Sequence, residues 1–173
     1  MSNRRITQRD VQGNAYAHNG DVNYNFNYDW RINHEDISDV IIMIESCKEN
    51  IIFDDNNIPS LEIIDIEEKN RINNLSEQYF KMMIDQYEPT LNQIDSFLTN
   101  PLYSQFATIY RTIALDLNMQ VIAFRNQYEL FDQVLETLVT AILVKKEDLN
   151  RCTHLVRSLL LYMYRNCDLG EIE

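Results

Sequence analysis

The chain has 173 residues, of which 45% are hydrophobic and 24% charged, the composition of one ordinary globular domain with little room for a second full core. It carries 27 acidic against 15 basic residues, a formal net charge of -12, so its body repels a phosphate backbone and no direct nucleic-acid binding by it is expected. No apolar run approaches the roughly 20 residues that cross a bilayer, the start (MSNRRITQ) lacks a signal sequence's apolar stretch, and Cys47, Cys152 and Cys167 are too few for a disulfide framework. A cytoplasmic chain with reduced thiols and no membrane association is the expectation.

In chain order, residues 1–30 stand apart from the rest. Arg4, Arg5 and Arg9 cancel Asp10, Asp21 and Asp29, and residues 22–30 alternate strictly. Val22, Tyr24, Phe26, Tyr28 and Trp30 fall on one face and Asn23, Asn25, Asn27 and Asp29 on the other. That period is a strand signal, and Asn19-Gly20 suits a type I′ turn, so a β-hairpin is predicted over about 13–28. Its aromatic face needs a cover. The chain's own helices, the edge of another subunit, or a partner protein that reads the segment as a tag could supply one.

Residues 31–173 read as a helical bundle, giving a mainly α fold of about five helices. Asn33 caps a first helix with Ile37, Val40, Ile41, Ile44 and Cys47 on one face. Residues 31–68 hold eleven acidic residues against Arg31 and Lys48, a face that keeps a protein soluble or meets a basic partner. The run from Phe53 to Ser60 reads as a loop. Ser76 caps a helix whose stripe is Phe80, Ile84, Tyr87, Leu91, Ile94 and Leu98, with Pro89 expected to kink or split it.

Asn100-Pro101 opens the next helix, with Leu102, Phe106, Ile109, Ile113, Leu117, Val121 and Phe124 on its face. A bend near Asn126 leads to Phe131, Leu135, Leu138 and Ile142, and Lys145 and Lys146 suit that helix's C-terminus. The last helix starts near Asp148 with Leu149, Cys152, Leu155, Val156, Leu159 and Tyr162 inward. Gly170 is expected to be its left-handed cap. Asn70, Asn73 and Asn74 are poor helix formers unless their amides serve caps or side-chain networks. Lys69 and Arg71 are expected to pair with nearby acids.

The sequence contains no phosphate-cradling glycine loop, nucleophile elbow, paired-Cys zinc spacing or His-Glu-x-x-His. His18, His34 and His154 are scattered, so neither metal nor cofactor is expected. A pair of Cys47 or Cys167 with His154 is open geometrically, but nothing near it supplies an activating environment. A non-enzyme is the expectation.

Two stretches carry a resemblance. Residues 67–80 (EEKNRINNLSEQYF) and 161–170 (LYMYRNCDLG), with IDSFLTNP at 94–101 between them, resemble the C-terminal helical module of bacterial ABC three-component conflict systems over residues 60–173. The resemblance implies a module that dimerises an effector and couples it to an ABC or SMC-like ATPase. This chain has no room for an effector domain upstream, so an antiphage adaptor subunit is implied, working as a homo-oligomer with an SMC-like ATPase or effector subunit as partner. Expected interface residues are Tyr24, Phe26, Tyr28 and Trp30 of the hairpin and Asn70, Asn73, Asn74, Tyr79, Phe80, Tyr162 and Tyr164 of the two motifs. The alternative is an antitoxin-like or regulatory protein-binding module that uses the acidic surface.

Overall fold

The computed structural model describes residues 17–18, 21–22, 32–46, 65–145 and 147–171, and the chain divides into two compact units, Met1–Arg31 and Ile32–Glu173. In the first unit, the described residues form a two-residue antiparallel pair, β1 (Ala17–His18) with β2 (Asp21–Val22), in which Ala17 opposes Val22 and His18 opposes Asp21. A hairpin over 13–28 is not supported beyond this pair. Tyr24, Phe26, Tyr28 and Trp30 lie outside the described residues.

The second unit is helical. Its α-helices among the described residues are α1 (His34–Glu45), α2 (Ile66–Asn73), α3 (Glu77–Leu98), α4 (Ser104–Phe124), α5 (Phe131–Lys145) and α6 (Thr153–Arg165). The count exceeds five because α2 is a separate short helix. Asp65 caps it by accepting from the Glu67 amide at 2.9 Å. Asn33 starts α1 with a reciprocal capping box: its side chain accepts from the Asp36 amide at 2.8 Å and its own amide donates to Asp36 at 3.1 Å. Ser76 starts α3 by accepting from the Tyr79 amide at 3.2 Å. No helix among the described residues is long and apolar enough to cross a membrane.

Two expectations change. Pro89 does not split α3, which runs unbroken from Glu77 to Leu98; Pro89 and Asp85, four residues before it, are both exposed, so water can serve the carbonyl that loses its partner. Leu102 is 82% exposed rather than on an apolar face, because Pro101–Tyr103 is a 3-10 turn whose tighter winding takes it out of phase with α4. The bend near Asn126 is present as a second 3-10 turn, Arg125–Gln127, and a third, Glu147–Cys152, precedes α6. Cys47, Lys146 and the loop from Phe53 to Ser60 lie outside the described residues.

The core is one apolar cluster. α6 is its axis, with Leu155, Val156, Leu159, Leu160, Leu161, Tyr162, Met163 and Tyr164 all buried. Such near-circumferential burial is the mark of a central helix. α3 supplies Leu91, Ile94 and Phe97, α4 supplies Ile113, Leu117 and Val121, and α5 supplies Phe131, Val134, Leu135 and Leu138. α1 adds Ile37, Val40, Ile41 and Ile44.

Candidate functional site

The two sequence motifs meet in space. α2 points its polar residues inward, where they close around the end of α6. The Lys69 side chain is completely buried. Its Nζ donates to the Tyr164 carbonyl at 2.5 Å and sits 4.4 Å from the centre of the Tyr164 ring. Burial pulls the Lys69 pKa down to about 8, against the opposing pull of Cys167 and Asp168. The negative end of the α6 dipole and the ring face replace part of the water this amine has lost.

Asn70 and Asn73 flank the lysine. Asn70 Oδ1 accepts from the Tyr164 hydroxyl at 3.0 Å. The buried Asn73 amide behaves like a strand residue toward the chain after α6: Nδ2 donates to the Glu171 carbonyl at 2.7 Å and Oδ1 accepts from the Glu171 amide at 2.8 Å. Nδ2 also donates to the Lys69 carbonyl at 3.0 Å.

Both helices end in the same way, with non-glycine residues in the left-handed region. At the end of α2, Asn74 has φ 55, its amide donates to the Arg71 carbonyl and the Leu75 amide to the Asn70 carbonyl. At the end of α6, Cys167 has φ 64, its amide donates to the Tyr164 carbonyl and the Asp168 amide to the Met163 carbonyl. These are Schellman caps. The left-handed cap of α6 is therefore Cys167 and not Gly170, because its capping bonds return to the last turn of the helix from three residues before the glycine. Gly170 has its own requirement. Its φ is 94, its amide donates to Asn118 Oδ1 at 2.8 Å, and a Cβ there would lie 2.8 Å from Asn73 Oδ1 and 3.1 Å from Phe131 Cζ.

A third segment completes the clasp. Arg125, in the turn after α4, donates to the Asn73 and Tyr128 carbonyls, each at 2.6 Å. Asn74 Nδ2 donates to the Glu129 carbonyl at 2.9 Å, and the Phe131 amide donates to the Asn74 carbonyl at 3.3 Å. Asp132 accepts from the Ser76 amide at 2.9 Å and from its hydroxyl at 2.5 Å. Tyr110 donates its hydroxyl to Asp168 at 2.5 Å; burial holds the Tyr110 hydroxyl well above its usual range and also raises the Asp168 carboxyl.

Residues 26–170 match the family model of C-terminal domain 12 of the ABC-three component (ABC-3C) systems. The chain belongs to this family. No curated protein and no solved structure matches it.

Within this ABC-three component domain, the motif residues go to different places. Asn73 and Tyr164 are fully buried and Tyr162 is 4% exposed, so their side chains serve the chain's own interior; Tyr162 donates to Asp95 at 2.9 Å. Asn74 is exposed, and Asn70, Tyr79 and Phe80 are half-buried. Tyr79 donates to Glu136 Oε1 at 2.8 Å, and the Arg157 guanidinium grips both oxygens of Glu136 at 3.0 and 2.7 Å. The same guanidinium hydrogen bond holds the Arg157 pKa above its usual value. His154 stacks on Tyr87 at 4.7 Å between ring centres and meets Thr90 at 3.3 Å.

Sequence reading missed Lys69. It was expected to pair with acids at the surface, as Arg71 does with Glu68, but it lies at 0% exposure. The spacing of Lys69, Asn70 and Asn73 puts three polar side chains on one side of a short helix, which was the available signal. Among the described residues no cluster of His, Cys, Asp and Glu could hold a metal ion.

Asn74→Ala is expected to destabilise the domain by about 1–2 kcal/mol, from left-handed strain and the lost bond to Glu129, while Asn74→Gly stays within about 1 kcal/mol of wild type. Urea midpoints of the two variants side by side measure this.

Proposed function

We propose that this domain is a non-catalytic oligomerisation and adaptor subunit of a bacterial antiphage ABC-three component system, acting in the cytoplasm to couple an SMC-like ATPase or sensor to an effector. The observation that carries the reading is the clasp. Lys69, Asn73 and Tyr164, the polar residues most deeply set in the two motifs, spend their hydrogen bonds inside the chain: Lys69 on the Tyr164 carbonyl, Asn73 on the Lys69 carbonyl and on Glu171, and the Tyr164 hydroxyl on the Asn70 side chain. What such a domain contributes is a rigid surface, not a reacting group. Family membership supports a role inside a multi-component system. Of the expected interface residues among the described residues, Asn74 is exposed and Asn70, Tyr79 and Phe80 are half-buried, so these four have surface to offer a partner.

Co-expression of the tagged full-length chain with the SMC-like ATPase proposed as its partner tests the coupling. The expected result is a complex that survives gel filtration, its mass containing more than one copy of this chain. Recovery of a one-to-one complex with a neighbouring toxin, and no association with the ATPase, would establish the antitoxin-like reading instead.

A further inference from the structure

The outer side of α4 carries a pattern the fold does not use. Thr108, Thr112, Leu115, Met119 and Ile122 follow one another at steps of four, three, four and three residues, the spacing of a coiled-coil seam. Met119 is 55% and Ile122 59% exposed, although both are large and apolar. Leu115 and Thr112 are half-buried and Thr108 exposed. The two threonines do not make the seam polar, since Thr108 Oγ1 donates to the Ser104 carbonyl at 3.4 Å and Thr112 Oγ1 to the Thr108 carbonyl at 3.1 Å. With the hydroxyls turned to the backbone, the methyl groups are left for the outer face.

The charges beside the seam say what covers it. With Thr112 and Met119 at a positions and Thr108, Leu115 and Ile122 at d, Arg111 occupies g and Asp116 the e position of the next heptad. Those two residues are the charged side chains of α4. In a parallel pair of helices a g residue faces e of the following heptad on the other chain, so two copies of α4 would each set Arg111 against Asp116 of the second copy. The long-range balance agrees. A chain of net charge -12 repels its own copy. α1 carries Glu35, Asp36, Asp39 and Glu45 with no lysine or arginine, and α3 carries Glu77, Asp85, Glu88 and Asp95 against Lys81. α4 has one charge of each sign, so it is a long helix that two acidic copies can bring together without stacking like charges.

We propose that α4 is the self-association surface of this domain, pairing in parallel with α4 of a second copy through Thr112, Leu115, Met119 and Ile122 and through two Arg111–Asp116 pairs. The inference rests on the reading of the chain as a self-assembling subunit and names the surface that does it. The seam spans about 21 Å. Both helices are already held by their domains, so pairing does not bear the cost of helix nucleation.

The test is the mass in solution of the full-length chain over a concentration series, with far-UV circular dichroism to check each fold. Wild type is expected to be a dimer. Met119→Glu, at an exposed site, is expected to weaken association at least about 100-fold with the helical spectrum unchanged. Arg111→Asp and Asp116→Arg each set like charges together and are expected to be monomers alone; mixed one to one, they are expected to form a heterodimer, because each pair then becomes opposite in sign. If wild type and Met119→Glu are equally dimeric, another surface (the aromatic segment before Trp30 included) holds the copies, and the α4 proposal falls while self-assembly stands. A single-chain mass for wild type at tens of micromolar overturns both. Failure of the two charge variants to combine, both being folded, overturns the parallel pairing.

Discussion

Gly170→Ala is expected to lower stability by about 3 kcal/mol and the melting temperature by about 10 °C, a large effect for one methyl group. Two independent costs add. The backbone at Gly170 sits at φ 94, where an L side chain costs on the order of 1–2 kcal/mol. The new Cβ would stand 2.8 Å from Asn73 Oδ1, with Phe131 Cζ at 3.1 Å behind it. Asn73 cannot give way without loosening its two bonds to Glu171, each worth roughly 1 kcal/mol. The phenylalanine is fully buried and leaves no room to retreat. The two costs separate in a double-mutant cycle. In an Asn73→Ala background the clash partner is gone, so Gly170→Ala is expected to cost about 1 kcal/mol, leaving a coupling of about 2 kcal/mol between the sites. Additive effects, with no coupling, would show that the clasp does not depend on this contact.

The stripes at helical spacing placed the core correctly where a single period governs. Ile37, Val40, Ile41 and Ile44 are all buried, as are Leu91, Ile94, Ile113, Leu117 and Val121. Capping residues were equally readable, because Asn33 and Ser76 each act on the amide three positions away and nothing remote is needed to see them. The clasp was not readable, and the reason is distance along the chain. Lys69 meets Tyr164 across 95 positions and Asn73 meets Glu171 across 98. A lysine beside Glu67 and Glu68 reads as surface in one dimension, and only the docking of α2 on the end of α6 makes it interior. The same limit explains Cys167. Glycine is the residue that local energetics favour at a left-handed cap, so the nearby Gly170 drew the expectation, whereas in the fold Gly170 is needed for its close approach to Asn73. Leu102 failed for a local reason, the change of period at Pro101–Tyr103.

Lys69 should make the domain more stable in mild alkali, the reverse of what an ion-paired surface lysine does. Its folded pKa is about 8 against an ordinary 10.5. Between those values the unfolded chain holds a proton that the folded chain has released, so stability rises with pH across the window. By pH 10 the contribution of Lys69 alone, relative to pH 7, is a gain on the order of 2 kcal/mol. Above about pH 10 the direction reverses. Tyr110, Tyr162 and Tyr164 are held protonated by burial while their unfolded counterparts ionise, and the unfolded chain then binds fewer protons. Lys69→Met keeps the volume of the stem and removes the buried charge. Its stability at pH 7 is expected to lie within about 1 kcal/mol of wild type, and the rise between pH 8 and 10 to disappear. Lys69→Ala removes the stem as well and leaves a cavity between α2 and Tyr164, at a cost of about 3 kcal/mol at pH 7. Urea unfolding of the three proteins at pH 7, 8, 9 and 10 decides the matter. A wild-type curve that is flat or falling from pH 8 to 10, and indistinguishable from that of Lys69→Met, would mean that the amine keeps its proton in the fold. In that case the end of α6, the Tyr164 ring and Asp168 solvate a buried ammonium nearly as well as water does.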